Sequence, residues 1–428
     1  MSTGTRNPIA TTRPPARRVG RWLVEVGPPF LVACLVLPLI ISGGSFFDPW
    51  RPSTIDLEVY IYAVKDMLAG RDIYATVTPG WRLYFIYPPI AAILMVPLAI
   101  GPYVFWQLVW TAGLVVAQQS VLRRCGVPRG WKLALVGIAV VLAVEPIRTT
   151  LGYGQVNTML MALVVADLLP DAPGERRRIP RGTLIGLAAA IKLTPALFVV
   201  FAFLIGQRRT AVTAIVSFLV CTGVGAVLLF DETLAFFGGL AGGDTRTASP
   251  LYVGNQSLLG FFVRLGDSSP ATTLIGLAIA AIVALLGTLI AAHWWRLGHQ
   301  AFGVALAGLT TCLVSPLSWT HHYVWILPFA VALFDRGLPR WVRYLGGFWV
   351  VWVCACLPLA LLPYGGAVER QYNGLQQLVA NLGPLVGVLL VAGLAAHLVL
   401  STRQPTPTTS QPSAMQAVQE GPTPPAVG

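Results

Sequence analysis

TLIGLAAAIKLTPALFVVFAFLIG fills residues 183–206, and Lys192 is its one charged side chain. Arginine stands at both ends, Arg181 before it and Arg208 and Arg209 after it. Lysine and arginine collect on the cytoplasmic side of membrane proteins. One straight helix cannot begin and end on the same side. The stretch therefore reads as two half-helices broken at 192–195, where Pro195 removes a backbone donor. Backbone groups freed at such a break must face protein or water. That predicts a polytopic membrane protein with a polar site inside its helical frame.

Working outward, the composition agrees. The chain has 428 residues, 55% of them hydrophobic and 11% charged, with a mean hydropathy of +0.71. A soluble protein carries about 25% charged residues, so that class is excluded. The formal net charge of +12 does not point to nucleic acid. Its basic residues sit in short clusters between apolar runs, as in loops facing anionic lipid. Residues 1–21, with Arg6, Arg13, Arg17, Arg18 and Arg21, predict a cytoplasmic tail. Residues 22–41 are longer than a typical signal-peptide core and end in a poor cleavage site, so they predict an uncleaved first span.

The expected architecture is all-α, with a transmembrane domain at 22–400. It holds about ten full spans and two broken or re-entrant hairpins, at 87–101 and 183–206. Outer loops are expected at 44–87 and 231–270. Residues 401–428, rich in Pro, Thr, Ser and Gln, predict a disordered cytoplasmic tail. The cysteines lie mostly inside apolar runs and suggest neither a disulfide framework nor a zinc site.

With this layout the unusual polar motifs converge on the outer side, with Lys192 entering from the membrane. STIDLEVYIYAVKDML (53–68) predicts a short amphipathic helix opening on Asp56 and Glu58. Two readings stand. Asp56 is a general base for a sugar hydroxyl, with Glu58 beside it in a D-x-E pattern that also suits a hard metal; or Ser53 and the acids cap the helix. Glu145 and Arg148 are either an interfacial ion pair or contain a phosphate ligand. Gly152, Gly154, Gln155 and Asn157 offer a turn with amide donors. Lys192 costs at least about 2.5 kcal/mol within a membrane segment and so predicts a cavity and a counter-charge. His321 and His322 follow Trp319 at the head of a span and suit a leaving phosphate. Trp319, Trp325, Trp81 and Trp106 either stack on sugars or form interfacial belts.

Taken in order, DLEVY (56–60), YPP (87–89), EPIRTTLGYGQVN (145–157), GLAAAIKLTP (186–195), NQS (255–257) and SPLSWTHHYVW (315–325) resemble the polyprenol-phosphate-mannose-dependent alpha-1,2-mannosyltransferases of actinobacterial envelopes. These belong to glycosyltransferase family 87 and include the phosphatidylinositol-mannoside mannosyltransferases. The resemblance implies a C-type glycosyltransferase fold (GT-C). It implies a polyprenyl-phosphate-mannose donor, a mannosylated glycolipid acceptor and inversion at the anomeric carbon. It maps the general base onto Asp56 and the second histidine of its motif onto His322, with Lys192 and Arg148 steadying the phosphate. Glu58, Tyr87, Glu145, Gln155, Asn157, Asn255, Gln256, Trp319 and His321 are the further expected substrate contacts. No cofactor or metal is required, although Glu58 keeps a divalent ion open. The expected location is the bacterial plasma membrane, with both termini inside and the site outside. Another lipid-linked sugar such as arabinose, or a flippase for such lipids, are the alternatives; the second would want a polar path through the membrane.

Overall fold

The computed structural model describes residues 54–171, 177–242 and 249–402. The predicted first span at 22–41, the tail at 1–21, Ser53, most of the C-terminal tail and the Asp244-Thr245-Arg246 motif lie outside the described residues. Among those described the protein is helical throughout, with only two isolated bridges, Val77 to Tyr84 and Asn255 to Trp319.

The amphipathic stretch forms α1 (Ile55–Leu68). The short outer hairpin forms α2 (Pro89–Leu94) and a 3-10 turn over Val96–Ala99. Then come α3 (Tyr103–Arg124), α4 (Trp131–Ala143), α5 (Glu145–Tyr153) and α6 (Asn157–Leu168). The lysine-bearing run divides as expected into α7 (Thr183–Ile191), a 3-10 turn at Thr194–Ala196, and α8 (Leu197–Leu204). Lys192 itself is extended. α9 (Arg208–Leu228) follows. The predicted outer loop at 231–270 contains two helices, α10 (Phe230–Gly242) and α11 (Leu258–Leu265). The Ser257 hydroxyl accepts from Gly260 N, and this N-cap starts α11 where the sequence reading saw only loop. The remainder is α12 (Pro270–Arg296), α13 (Gln300–Val314), a 3-10 turn at Thr320–Trp325, α14 (Ile326–Ala332), α15 (Arg340–Ala355), α16 (Leu357–Leu361) and α17 (Gly374–Thr402).

Among the described residues three helices, α9, α12 and α17, are long and apolar enough to cross a membrane; α4 and α5 make a fourth if their 84° bend is counted as one broken span. α6, α13 and the 194–204 segment are apolar but shorter. The protein is accordingly a membrane protein, and its outward surface agrees. Val212, Leu219, Val220 and Val227 on α9 and Leu274 and Leu285 on α12 are exposed apolar side chains, as expected where lipid is the solvent.

On the predicted cytoplasmic side, the start of α7 is fixed by one buried carboxylate. Asp167 Oδ2 accepts from Gly182 N, Leu184 N and Ile185 N, and its Oδ1 accepts from Arg177 Nη1 at 2.7 Å. This satisfies orphan donors at the helix N-terminus.

The 3-10 turn at Thr320–Trp325 is the hub of the molecule. It packs against α5, α6, α13 and α14. Its last residue depends on one glycine. A Cβ at Gly308 on α13 would stand 2.0 Å from Trp325 Cδ2, so the indole lies directly on the helix backbone. From above, the loop before α11 is tied to the same turn: Gln256 N donates to Ser318 O at 2.8 Å. The buried Arg264 holds that loop, donating from Nη1 to Asn255 O at 2.8 Å and from Nε to Asn381 Oδ1 at 2.9 Å on α17.

Gly308→Ala is therefore expected to destabilise the fold by about 1–3 kcal/mol through overpacking. Its melting temperature in detergent, read by tryptophan fluorescence, should fall. An unchanged melt would show that Trp325 has room to move.

Candidate active site

The site begins with helical phase. Asp56 and Tyr60 are four apart on α1 and share a face. Asp56 and Glu58 are two apart and lie about 200° round the helix. They do not form a pair: Glu58 is within electrostatic reach of Tyr103, Asp56 of Lys192. The N-cap residue Thr54 makes no side-chain cap. Its hydroxyl instead meets Tyr103 Oη at 2.6 Å and accepts from Gln107 Nε2 at 2.7 Å, which anchors α1 to α3.

The turn after α5 then presents its amides. Gly154 takes a left-handed φ of 68°, and a Cβ there would stand 2.9 Å from Leu57 Cβ. Only glycine suits both the conformation and the close approach of α1. The turn aims Gln155 at α1. Gln155 Oε1 accepts from Tyr60 Oη at 2.7 Å, from Tyr87 Oη at 2.7 Å and from Val156 N at 2.9 Å. That fixes the amide so that its other end bonds the Asp56 carboxylate. Asp56 is half-buried and lies outside the spans. Its crowding by protein raises the carboxyl from 3.8 to about 7, opposed by the Lys192 charge and the Gln155 hydrogen bond.

Lys192 reaches in from the break between α7 and α8. Its Nζ donates to Asn157 Oδ1 at 2.9 Å and lies 3.3 Å from His322 Nε2 and 5.6 Å from the Tyr87 ring centroid. Asn157 Nδ2 donates to His321 O at 3.0 Å, so one amide holds both the ammonium and the histidine turn. The His321 ring stands edge-on to His322 at 4.7 Å and to Tyr153 at 5.5 Å. Lys192, Asn157 and His322 line a cleft of about 430 Å³ together with Thr194, Cys312 and Ser318, with an apolar wall that includes Leu160, Met161, Phe198 and Trp325; Asp56, Tyr87, Tyr153 and His321 do not line it. A cation, neutral donors and an apolar wall in one cleft suit a phosphate carrying a hydrocarbon chain.

Other expected residues stand elsewhere. Arg148 does not line this cleft; its Nη1 donates to Leu142 O at 3.1 Å and its charge acts on Glu145. Buried Glu145 accepts through Oε1 from Thr149 at 2.6 Å and from Thr320 at 3.2 Å, on the other flank of the turn. Asn255 is fully committed to the frame: Nδ2 donates to Pro250 O and Pro316 O, and Oδ1 accepts from Ser257 N and Ser318 N. Gln256 donates from Nε2 to Val253 O at 2.7 Å and Ala380 O at 3.1 Å. Trp319 packs on Tyr252 with ring centroids 5.5 Å apart. Tyr60, Tyr153 and Cys312 were not singled out from sequence. Only Tyr60 had a signal, its spacing of four from Asp56. Among the described residues no group of three or more His, Cys, Asp or Glu side chains is arranged to hold a metal ion.

Known proteins resemble this chain over most of its length. The profile of glycosyltransferase family 87 matches residues 85–316. The chain is 31% identical to the polyprenol-phosphate-mannose-dependent alpha-(1-2)-phosphatidylinositol pentamannoside mannosyltransferase of Mycolicibacterium smegmatis, over 88% of this chain and 94% of that protein. It is 33% identical to the Mycobacterium tuberculosis protein of the same name, over 82% and 85% of the two chains. It is 34% identical to the polyprenol-phosphate-mannose-dependent alpha-(1-2)-phosphatidylinositol mannoside mannosyltransferase of Mycolicibacterium smegmatis, over 78% and 83%. No solved structure matches. The profile match and these long alignments together make this chain a member of glycosyltransferase family 87.

Proposed function

We propose that this chain is an integral-membrane, inverting mannosyltransferase. Its donor is polyprenyl-phosphate-mannose and its acceptor a 2-hydroxyl of a mannosylated glycolipid of the phosphatidylinositol-mannoside or lipomannan type. The names of its relatives support the donor and the linkage. The observation that carries the chemistry is one half-buried aspartate within the electrostatic reach of one ammonium: the Lys192 charge acts on Asp56, and Lys192 itself joins Asn157 and His322 at the cleft.

In this reading the phosphate sits against Lys192, His322 and the Asn157 amide, and the prenyl chain follows the Phe198 and Trp325 wall towards lipid. Asp56 takes the proton from the acceptor hydroxyl as its oxygen attacks the anomeric carbon. The bond from that carbon to the phosphate oxygen breaks with its electron pair going to the phosphate. Lys192 and His322 stabilise the charge that develops there. Tyr60 and Tyr87 act through Gln155 to hold the carboxylate in line. No metal takes part. The accompanying architecture is a GT-C fold of about ten spans, both termini cytoplasmic, the site near the outer leaflet. The shorter apolar helices that meet at bends support it.

Purified protein incubated with radiolabelled polyprenyl-phosphate-mannose and a panel of mannosylated acceptors should form an alpha-1,2 product. Asp56→Asn should lower turnover by about 10²–10⁴-fold with donor binding retained; a transporter would keep moving lipid in that variant. Because the base must be ionised, turnover should climb with pH and level off above about 7, tracking Asp56. Lys192→Met should move that midpoint upward, since the ammonium now holds the carboxyl down; a downward move would refute that coupling. Chelators should leave turnover unchanged. Loss restored by magnesium or manganese would argue for a metal instead.

A further inference from the structure

A second cleft lies on the opposite flank of the histidine turn. Its volume is about 310 Å³, and Gln256, Thr320, Tyr323, Trp352, Cys356 and Gly383 line it. The first cleft takes His322, Val324 and Trp325 from the same turn, so the two clefts share one wall. The floor of the second holds two unmet polar groups of opposite sense. Both hydrogens of the Gln256 amide are donated to backbone carbonyls, and its Oε1 accepts no hydrogen bond among the described residues. Trp352 Nε1 is buried and has no partner. Both lie beside the bare face of Gly383: a Cβ placed there would stand 2.9 Å from Gln256 Oε1 and 3.6 Å from Trp352 Nε1. With no side chain at that position, a group resting on the glycine Cα can face both atoms.

We propose that this second cleft seats a pyranose of the acceptor glycan, one of its hydroxyls donating to Gln256 Oε1 and accepting from Trp352 Nε1. The assignment rests on the mannosyltransferase reading above. A buried N–H such as that of Trp352 is seldom left unpaired in folded proteins, and a hydroxyl that accepts from it can donate to the Gln256 Oε1 beside it. The Trp352 and Tyr323 rings offer apolar faces beside it. Tyr323 Oη is already spent on Gln256 O at 2.6 Å, so its ring, not its hydroxyl, faces the ligand. Thr320 and Glu145 continue the polar path: Glu145 Oε1 accepts from Thr320, while its buried Oε2 has no partner. Tyr153, whose ring stands 5.5 Å from that of His321, is within electrostatic reach of Cys356, Glu145 and Asp56 alike. A glycan seated over Gly383 is thus directed along Tyr153 to the base, while the donor occupies the Lys192 cleft behind the turn.

The test uses the full-length protein in detergent with an octyl alpha-1,6-dimannoside as acceptor probe. Trp352→Phe removes one donor and keeps the ring plane. It should raise the acceptor KM about three- to tenfold, with donor KM and saturated kcat unchanged. Trp352→His, which restores a ring N–H, should recover part of the loss. Saturation-transfer NMR of the dimannoside without donor reads the cleft independently of turnover: wild type should show contact and Trp352→Phe should weaken it, even if the transferred sugar proves not to be mannose. An unchanged acceptor KM, or a rise in donor KM alone, would overturn the proposal. So would equal weakening for a sugar-free octyl amphiphile, which would assign the cleft to an acyl chain.

Discussion

The burial of one ammonium group sets the terms for the rest of this molecule. A lysine in the middle of an apolar segment is tolerated only where polar partners meet it. Here the helix itself gives way: α7 ends at Ile191, Lys192 is extended, and a 3-10 turn carries Pro195 into α8. The side chain is then met by an amide from the end of one helix, an imidazole from another segment and the face of a tyrosine. Remove the ammonium and Asn157, His322 and Asp56 lose the group that relates them.

The site is assembled from segments that have no sequence proximity. Asp56 arrives on α1, Gln155 and Asn157 on the turn between α5 and α6, Lys192 on the break, and His322 on a 3-10 turn after α13. Glycines make the close approaches possible, Gly154 beneath α1 and Gly308 beneath Trp325. Tyrosines provide the rigidity. Three donors on a single amide oxygen leave Gln155 little freedom, so the carboxylate it contacts has one orientation. The Arg264 contacts act at longer range, holding the Asn255 loop against the turn that carries the histidines.

Much of this was legible in the sequence, for identifiable reasons. The break at Lys192 could be read because arginines flank an apolar run too charged at its centre to be one plain span. The short hairpin after Tyr87 could be read from its length. Asp56 and His322 owed their roles to the family resemblance, and their neighbourhood with Lys192 required coordinates. Arg148 looked equivalent to Lys192 as a cation. Its position on α5, before the chain reverses at Gly154, keeps it off the cleft. Asn255 was an expected contact through the NQS motif of the family resemblance, yet all four of its hydrogen-bonding positions serve the backbone. Trp352 carried no signal, since its partnerless N–H is a property of packing between distant helices.

One further consequence follows from the bare backbone at Gly308. The indole of Trp325 rests where a side chain would otherwise be, and the same indole forms part of the cleft wall. The width of the cleft is thus governed by a residue that lies behind its wall and does not line it. A side chain at position 308 would shift that wall without any change among the residues that line the cleft.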